Sequence, residues 1–191
     1  LKATDMELAV LEPVPATITR EGATPAPASV LYEIMRKLPD GVEVELDQTD
    51  SDGQLHLRAG RYATHLNVLS VDDFPSMGAG DFPHRFHLNG TILRSLIDRT
   101  RFAISTEETR YYLNGIYLHA ADIDGKPLLR AVATDGHRLA RVEAEMPTGA
   151  ADMPGVIIPR KTVAELRKLI DEAPEEISVA LSETRIQFTV G

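Results

Sequence analysis

Apolar and polar residues alternate along several stretches of the chain, which is the pattern expected of β-strands. In the first part, the alternation at 6–10 and 14–18 predicts two strands, and Pro13 and Pro15 indicate a break or a sheet edge there. Three further strands are predicted at 42–46, 55–58 and 62–68, with a hairpin turn at Asp52-Gly53.

Three segments instead place their apolar residues at helical spacing. The first runs through residues 30–38, where Ser29 is the expected cap and Pro39 the expected stop. The second spans 91–102, and Pro159 opens the third. The chain is therefore predicted to mix helices with antiparallel strands, which is the α+β fold class.

The later part of the chain repeats this mixture after an interruption rich in Gly, Pro and other turn-forming residues. We interpret residues 76–82 as a linker between two domains, residues 1–75 and residues 83–191. The strands predicted in the second domain lie at 85–88, 112–120, 128–133, 138–143, 156–158, 177–181 and 185–190.

A weak internal repeat relates the helices that follow Pro27 and Pro159. The sequence EIMRKL at 33–38 resembles ELRKL at 165–169, and each helix is followed by a predicted strand and hairpin. Repetition of one helix–strand–hairpin unit explains the shared order, while two unrelated amphipathic helices are the alternative.

Composition excludes several classes of site. The 191 residues include no Cys, so disulfides, Cys-based zinc sites, iron–sulfur clusters and thiol nucleophiles are ruled out. No apolar run approaches the ~20 residues that cross a bilayer, and no signal peptide opens the chain, so we expect a cytoplasmic protein without a membrane partner. Both ends fall in strand-like sequence, and we expect a piece of a longer protein.

The net charge of −9 argues against a uniformly basic nucleic-acid-binding domain. Positive residues nevertheless recur on the polar faces of the helices, including Arg36, Arg94, Arg160 and Lys161, whereas acidic residues concentrate in strands and turns. This segregation suits a protein that points its helices at phosphates. Ordinary solvated helix surfaces with ion pairs along each helix are the alternative.

Two short stretches carry candidate chemistry. RYYLNG at 110–115 places adjacent tyrosines at the start of a predicted strand, and ATDGHRLA at 133–140 places a His-Arg pair in a hairpin turn. One hypothesis is a small enzyme with Asp135 and His137 as acid–base groups, although no nucleophile, phosphate loop or metal set accompanies them. Tight turns with ordinary surface residues are the structural alternative.

These two stretches, with IIPRK at 157–161 and DFP at 73–75, resemble the β subunit of bacterial DNA polymerase III, the replicative sliding clamp. The resemblance implies the DNA-clamp fold, with antiparallel sheets outside and helices lining a central pore. It also implies a head-to-tail homodimeric ring, and a processivity factor in DNA replication instead of an enzyme, with no cofactor and no metal. Residues 1–75 then correspond to the C-terminal part of domain 1 and residues 83–191 to most of domain 2, with domain 3 absent.

The resemblance further implies site residues. Positions expected to contact duplex DNA are Arg36, Arg94, Tyr111, Tyr112, Arg160 and Lys161. Positions expected to form one side of a cleft for short partner peptides are Leu113, Thr134, Gly136, His137, Arg138 and Leu139. Arg61 and Leu66 lie on the strand expected to pair with the next subunit.

The partners implied by the resemblance are duplex DNA, the polymerase III catalytic subunit, a clamp loader that supplies the ATPase, and other polymerases and repair factors that carry short peptide motifs. Two departures from the family pattern weaken individual DNA contacts. Ser29-Val30 replaces a basic pair, and Glu107-Glu108, whose carboxylates repel phosphate, precede the tyrosines. A clamp-like fragment with a purely structural role is the third alternative.

Overall fold

The computed structural model describes residues 1–48, 53–75, 80–107, 109–171 and 176–191. The chain divides into two compact units, residues 1–78 (unit 1) and residues 79–191 (unit 2). Among the predicted features, Asp52, Glu108 and residues 76–79 of the expected linker lie outside the described residues. Within the part of the chain that is described, no helix is long and apolar enough to cross a membrane.

Unit 1 contains a short hairpin, one helix and a three-stranded antiparallel sheet. The elements are β1 (Lys2–Thr4), β2 (Ala9–Leu11), α1 (Ala28–Met35), β3 (Val44–Asp47), β4 (Gln54–Ala59) and β5 (Tyr62–Asn67), with the sheet order β3-β4-β5. Its buried side chains come from the last two strands: Leu55, Leu57, Ala59 and Leu66. No residue of α1 is buried. The core that the described part of unit 1 provides is therefore small.

Three predictions for unit 1 are wrong. The strand predicted at 6–10 begins only at Ala9, because residues 5–8 form the turn that joins β1 to β2. Residues 14–18 form no strand, because Pro13 and Pro15 lack the N–H groups that a ladder needs and no neighbouring strand pairs with this segment. Ser29 does not cap α1, since the helix begins one residue before it. Pro27 occupies the cap position with φ −60° and ψ 106°, and no side chain there makes a capping hydrogen bond.

Unit 2 contains two antiparallel sheets. One has the order β10 (Val156–Pro159), β7 (Gly115–Ile123), β8 (Lys126–Thr134), β9 (Leu139–Glu145), and the other has the order β12 (Ile186–Val190), β11 (Glu176–Leu181), β6 (His84–Asn89). Alternate residues along these strands are buried, for example Leu129, Ala131 and Ala133 of β8. The buried face of β8 follows from the strand geometry, because Leu128 and Val132 are also apolar but are only half-buried.

Two helices, α2 (Gly90–Asp98) and α3 (Arg160–Asp171), pack on each other and on the sheets. Asn89 caps α2, because its Oδ1 accepts the Thr91 N–H at 2.8 Å. The helix ends four residues earlier than predicted. The hydroxyl of buried Thr100 turns back to donate to the Leu96 carbonyl at 2.6 Å, and a 3-10 turn (Arg101–Ala103) follows.

Unit 2 contains an internal repeat of its own. This repeat differs from the similarity between the helices after Pro27 and Pro159 that the sequence shows. A short strand directly precedes each of its helices, β6 before α2 and β10 before α3. One half of unit 2 runs from β6 to β9 and the other from β10 to β12. Each of the two short strands joins the sheet of the other half: β6 pairs with β11, and β10 pairs with β7. The exchange merges the two halves into one core that includes Phe86, Leu93, Ile158 and Leu166.

Candidate nucleic-acid and peptide interfaces

The two tyrosines lie on a 3-10 turn (Tyr111–Leu113), whereas the strand was predicted to begin at Tyr112. The Leu113 N–H donates to the Arg110 carbonyl at 2.8 Å, which closes the turn. The tyrosine rings meet edge to face with their centroids 5.6 Å apart, and the two residues are 79% and 55% exposed. Both rings therefore face solvent, whereas neighbours on a strand would point to opposite faces.

The first turn of α3 lies against this tyrosine turn. Pro159 pairs with Gly115 in the β10–β7 ladder, and the Arg160 N–H donates to the Asn114 carbonyl at 2.8 Å. Arg160 and Lys161 are exposed, and the first turn of α3 contains no acidic residue. A cation at a helix N-terminus interacts unfavourably with the helix dipole, by about 0.3–1 kcal/mol for each charge. The two cations and the positive end of the dipole together favour binding of an anion at this end of α3.

The other two predicted DNA contacts, Arg94 and Arg36, each lie beside carboxylates. Arg94 of α2 forms ion pairs with Asp98 at 3.6 Å and with Asp171 of α3 at 3.2 Å. Arg36, which follows α1 in unit 1, pairs with Glu33 at 3.2 Å. Carboxylates already offset these two charges in part, so Arg36 and Arg94 attract phosphate less strongly than their position in the sequence indicates.

The predicted peptide cleft is built on the turn between β8 and β9. Oδ1 of Asp135 accepts the N–H groups of His137 and Arg138, each at 3.0 Å. The hydroxyl of Thr134 accepts the Gly136 N–H at 3.1 Å and donates to the Arg138 carbonyl at 2.8 Å. Gly136 has φ +90°, a conformation that residues with a Cβ rarely adopt. The side chains of the turn thus fix its backbone.

Apolar surface adjoins this turn. Leu139 opens β9 and is 64% exposed, so it is not a core residue, while Leu113 is half-buried. The guanidinium carbon of Arg138 lies 5.5 Å from the centre of the Phe102 ring, which is a cation–π contact. The Ser105 N–H donates to the Leu113 carbonyl at 3.1 Å and so ties the segment after Phe102 to the tyrosine turn. These contacts place the predicted cleft residues at one corner of unit 2.

Two residues of this corner, Phe102 and Arg110, were not among the predicted site residues. Nη1 of Arg110 lies 3.3 Å from the position that a Cβ on Gly136 would take, and Glu107 pairs with Arg110 at 3.2 Å. Arg110 stands inside the RYYLNG motif, so a signal for it was available. Phe102 was placed on the predicted second helix, whereas it lies on the 3-10 turn after α2 and is 56% exposed.

The acid–base hypothesis for Asp135 and His137 is not supported. Hydrogen bonds from the backbone N–H groups of Arg138 and His137 lower the pKa of the Asp135 carboxyl to about 2. A carboxylate that is held ionised in this way is a poor proton donor near neutral pH, and its lone pairs are engaged within the turn. Asp135 therefore acts on the conformation of the turn.

The two residues assigned to the subunit contact differ in exposure. Arg61 is exposed just before β5, and among the described strands β5 pairs only with β4. Leu66, by contrast, is only 6% exposed within unit 1. The Leu66 side chain belongs to the core of unit 1, so the predicted contact of this strand with a neighbouring subunit would use its backbone groups. The edge of β5 opposite β4 is the part of the sheet that a partner strand can reach.

Solved structures of bacterial sliding clamps share this fold. The chain matches the C. crescentus beta sliding clamp with a TM-score of 0.94 at 47% identity, and the Bartonella birtlesii clamp with 0.92 at 49%. Each match covers all of this chain and 50% of the other. The paired sheets, the packed helices and the exposed turn beside α3 define a protein of the DNA-clamp class.

Sequence comparison gives the family. Residues 1–78 match the model of the DNA polymerase III beta subunit, N-terminal domain, and residues 87–191 match that of its central domain. A beta sliding clamp from Caulobacter vibrioides is 48% identical over 189 residues, which are 99% of this chain and 51% of the relative. One from Pseudomonas aeruginosa is 35% identical and covers 100% and 51%. The chain belongs to the DNA polymerase III beta subunit family, and it spans about half the length of these relatives.

Proposed function

We propose that the chain is part of a processivity clamp, a ring-shaped homodimer that encircles duplex DNA and tethers the replicative polymerase to it. The family supports this function. The observation that carries it is the surface formed by Tyr111, Tyr112, Arg160 and Lys161, where exposed aromatic rings lie beside exposed cations at a helix N-terminus. We call these four residues the DNA-contact surface.

The chemistry of the DNA-contact surface suits weak contact without base recognition. Its cations and the α3 N-terminus attract phosphates, which are the same along any duplex. The chain as a whole carries a net charge of −9, so the rest of its surface disfavours DNA. A protein with this distribution holds DNA loosely enough to slide along it.

The test replaces Arg160 and Lys161 together by Ala in the full-length protein and measures affinity for linear duplex at several salt concentrations. The matched control is Lys126→Ala/Lys168→Ala, which also removes two exposed cations, from the start of β8 and from the last turn of α3. We expect the slope of log affinity against log salt to shrink by about 1–2 in the first variant only. Equal slopes in both variants, or discrimination between DNA sequences, would refute the DNA-contact surface.

The corner around the β8–β9 turn is the proposed docking site for partner peptides. Leu113 and Leu139 supply apolar contact, while Thr134, Gly136, His137 and Arg138 supply a polar rim. A small aliphatic anchor ringed by polar groups is a common form of peptide hot spot. The proposed partners are the polymerase III catalytic subunit, the clamp loader, and other polymerases and repair factors with short motifs.

Assembly and loading complete the proposal. The open edge of β5, with Arg61 beside it, supports strand pairing with a second subunit in a head-to-tail ring. A closed ring must be opened to admit DNA, and we assign that step to the ATPase of a separate clamp loader. A clamp that acts on the bacterial chromosome works in the cytoplasm.

A further inference from the structure

We propose that Asp135 is a positioning residue for peptide binding: it holds the Arg138 side chain against Phe102, so that the rim of the cleft is already formed before a peptide arrives. This inference rests on the proposed peptide cleft and adds to it two residues, Asp135 and Phe102, that the predicted cleft did not include. The role differs from direct contact, because Asp135 acts through Arg138.

Asp135 controls both the backbone and the side chain of the rim. One carboxylate oxygen, Oδ1, accepts the N–H groups of His137 and Arg138, each at 3.0 Å. The other oxygen, Oδ2, accepts from Nε of Arg138 at 2.9 Å. A single side chain thus fixes the turn and the direction in which the guanidinium leaves it.

Phe102, which lies on a different element, makes a second contact with the Arg138 side chain. Its ring comes from the 3-10 turn after α2, and the Arg138 guanidinium carbon lies 5.5 Å from the ring centre. Asp135 binds the Nε edge of the guanidinium, and the aromatic ring makes a cation–π contact with the same group. Arginine carries five N–H donors, and only the one at Nε is directed to Asp135, so the others can meet peptide carbonyls or an acidic side chain.

The electrostatics of the turn keep this arrangement in place under working conditions. The backbone N–H groups of Arg138 and His137 lower the pKa of Asp135 to about 2, so the carboxylate is ionised throughout the neutral range. The ion pair with Arg138 therefore does not titrate away. Arg138 is itself 59% exposed, and a free arginine at such a position would sample many rotamers.

Pre-positioning has a direct effect on affinity. A peptide that binds a mobile arginine must also order it, which costs about 0.5–1.5 kcal/mol per immobilised long side chain and corresponds to roughly two- to tenfold in Kd. Where Asp135 and Phe102 have already ordered Arg138, the peptide avoids that cost. Removing Asp135 should weaken binding by a comparable factor even though the peptide never touches it.

The experiment uses the full-length protein and a fluorescent synthetic peptide with the C-terminal segment of the polymerase catalytic subunit. Anisotropy gives the Kd for wild type, Asp135→Ala, Arg138→Ala and the double variant. We expect Asp135→Ala to raise the Kd about three- to tenfold. We also expect Asp135→Ala to add less than about twofold in the Arg138→Ala background, because without Arg138 there is no guanidinium for Asp135 to order.

Two further variants separate positioning from loss of folding. Asp135→Asn keeps an oxygen for the two backbone N–H groups but removes the charge that holds Nε, so its Kd should fall between those of wild type and Asp135→Ala. Asp122→Ala is the matched control, because the Asp122 carboxylate accepts the Gly125 N–H at 2.9 Å in the turn at the other end of β8. It should change thermal stability without changing the Kd.

The outcomes are distinct. If wild type does not bind the peptide, the proposed cleft fails and the inference fails with it. If wild type binds and Asp135→Ala binds equally well, or if the effects of Asp135→Ala and Arg138→Ala simply add, only the positioning role is refuted. A raised Kd in the Asp122→Ala control would also overturn it, since the effect would then be a general one on the sheet.

Discussion

At the scale of single residues, Gly115 decides where the tyrosines lie. It is the first residue of β7, directly after the tyrosine turn, and a Cβ there would overlap the carbonyl oxygen of Ile158 in β10. Only glycine lets the two backbones approach this closely, and this approach brings the Arg160 N–H to the Asn114 carbonyl. The adjacency of aromatic rings and cations therefore depends on one missing methyl group.

We predict that Gly115→Ala destabilises the protein by about 1–3 kcal/mol or more, because the clash is with backbone that cannot rotate away. Gly155→Ala is the matched control at the same strand pair. A Cβ at Gly155, the residue before β10, would overlap the hydroxyl and the outer ring carbons of Tyr117, which belong to a partly exposed side chain and not to backbone. Urea denaturation of both variants measures the difference, and equal losses would show that the β10–β7 approach is not tight.

At the scale of elements, α2 and α3 are joined by four charges in a reciprocal arrangement. The sequence RSLID at 94–98 recurs as RKLID at 167–171, and each helix pairs its own Arg and Asp four residues apart. Each Arg also reaches the Asp of the other helix: Arg94 to Asp171 at 3.2 Å and Arg167 to Asp98 at 2.8 Å. This match is the sequence signal of the repeat inside unit 2.

The two crossing pairs should contribute unequally to stability. The side chain of Arg167 is only 12% exposed, whereas that of Arg94 is 52% exposed. The hydrogen bond from Arg167 lowers the pKa of Asp98, and burial opposes this effect only in part. Because charge-assisted bonds gain strength away from water, we expect the Arg167 pair to dominate.

We predict that Arg167→Gln lowers the free energy of unfolding by about 1.5–3 kcal/mol, and that Arg94→Gln lowers it by less than about 1 kcal/mol. A double-mutant cycle of Arg167→Gln with Asp98→Asn, followed by urea denaturation, measures their coupling. Additive effects in that cycle would show that the 2.8 Å contact contributes nothing by itself. A larger loss for Arg94→Gln would reverse the proposed order.

At the scale of the whole molecule, the two units differ in how much core the described residues provide. Unit 2 encloses a continuous cluster contributed by both sheets and both helices, with Leu93, Leu129, Ile158 and Ile177 almost fully buried. Among the described residues of unit 1, burial is confined to β4 and β5, and α1 has no buried residue. Hydrophobic burial is the main stabilising term, so the units should differ in local stability.

We predict that amide hydrogen exchange in this 191-residue chain is at least about tenfold slower at Ala131 than at Leu57 under native conditions. The two residues are comparable, because both are buried and lie on the middle strand of a three-strand antiparallel segment, β7-β8-β9 or β3-β4-β5. Equal exchange rates would mean that the small core of unit 1 protects its backbone amides as well as the larger core of unit 2 does. Mass spectrometry with fragmentation resolves the two strands.

Local features could be predicted from the sequence to a large extent. The three helices, most strands and the Asp135-Gly136 turn follow from patterns that span fewer than a dozen residues, and the structure has them close to the predicted positions. The resemblance to a known family supplied the cleft residues and the cations, because short motifs carry it. The errors arose where a local pattern lacked a partner, as in the segment at 14–18, or where a turn resembled a strand, as at Tyr112.

The sequence by itself determined where most helices and strands form and where the chain turns, since alternation, helical spacing and Gly, Pro and Asn signals act between near neighbours. Only the tertiary structure decided the exchange of β6 and β10, the placing of α3 against the tyrosine turn, the pairing of Arg94 with Asp171 and the contact of Arg138 with Phe102. These contacts join residues tens of positions apart. Their geometry depends on how whole sheets and helices pack, and no local period in the chain records that packing.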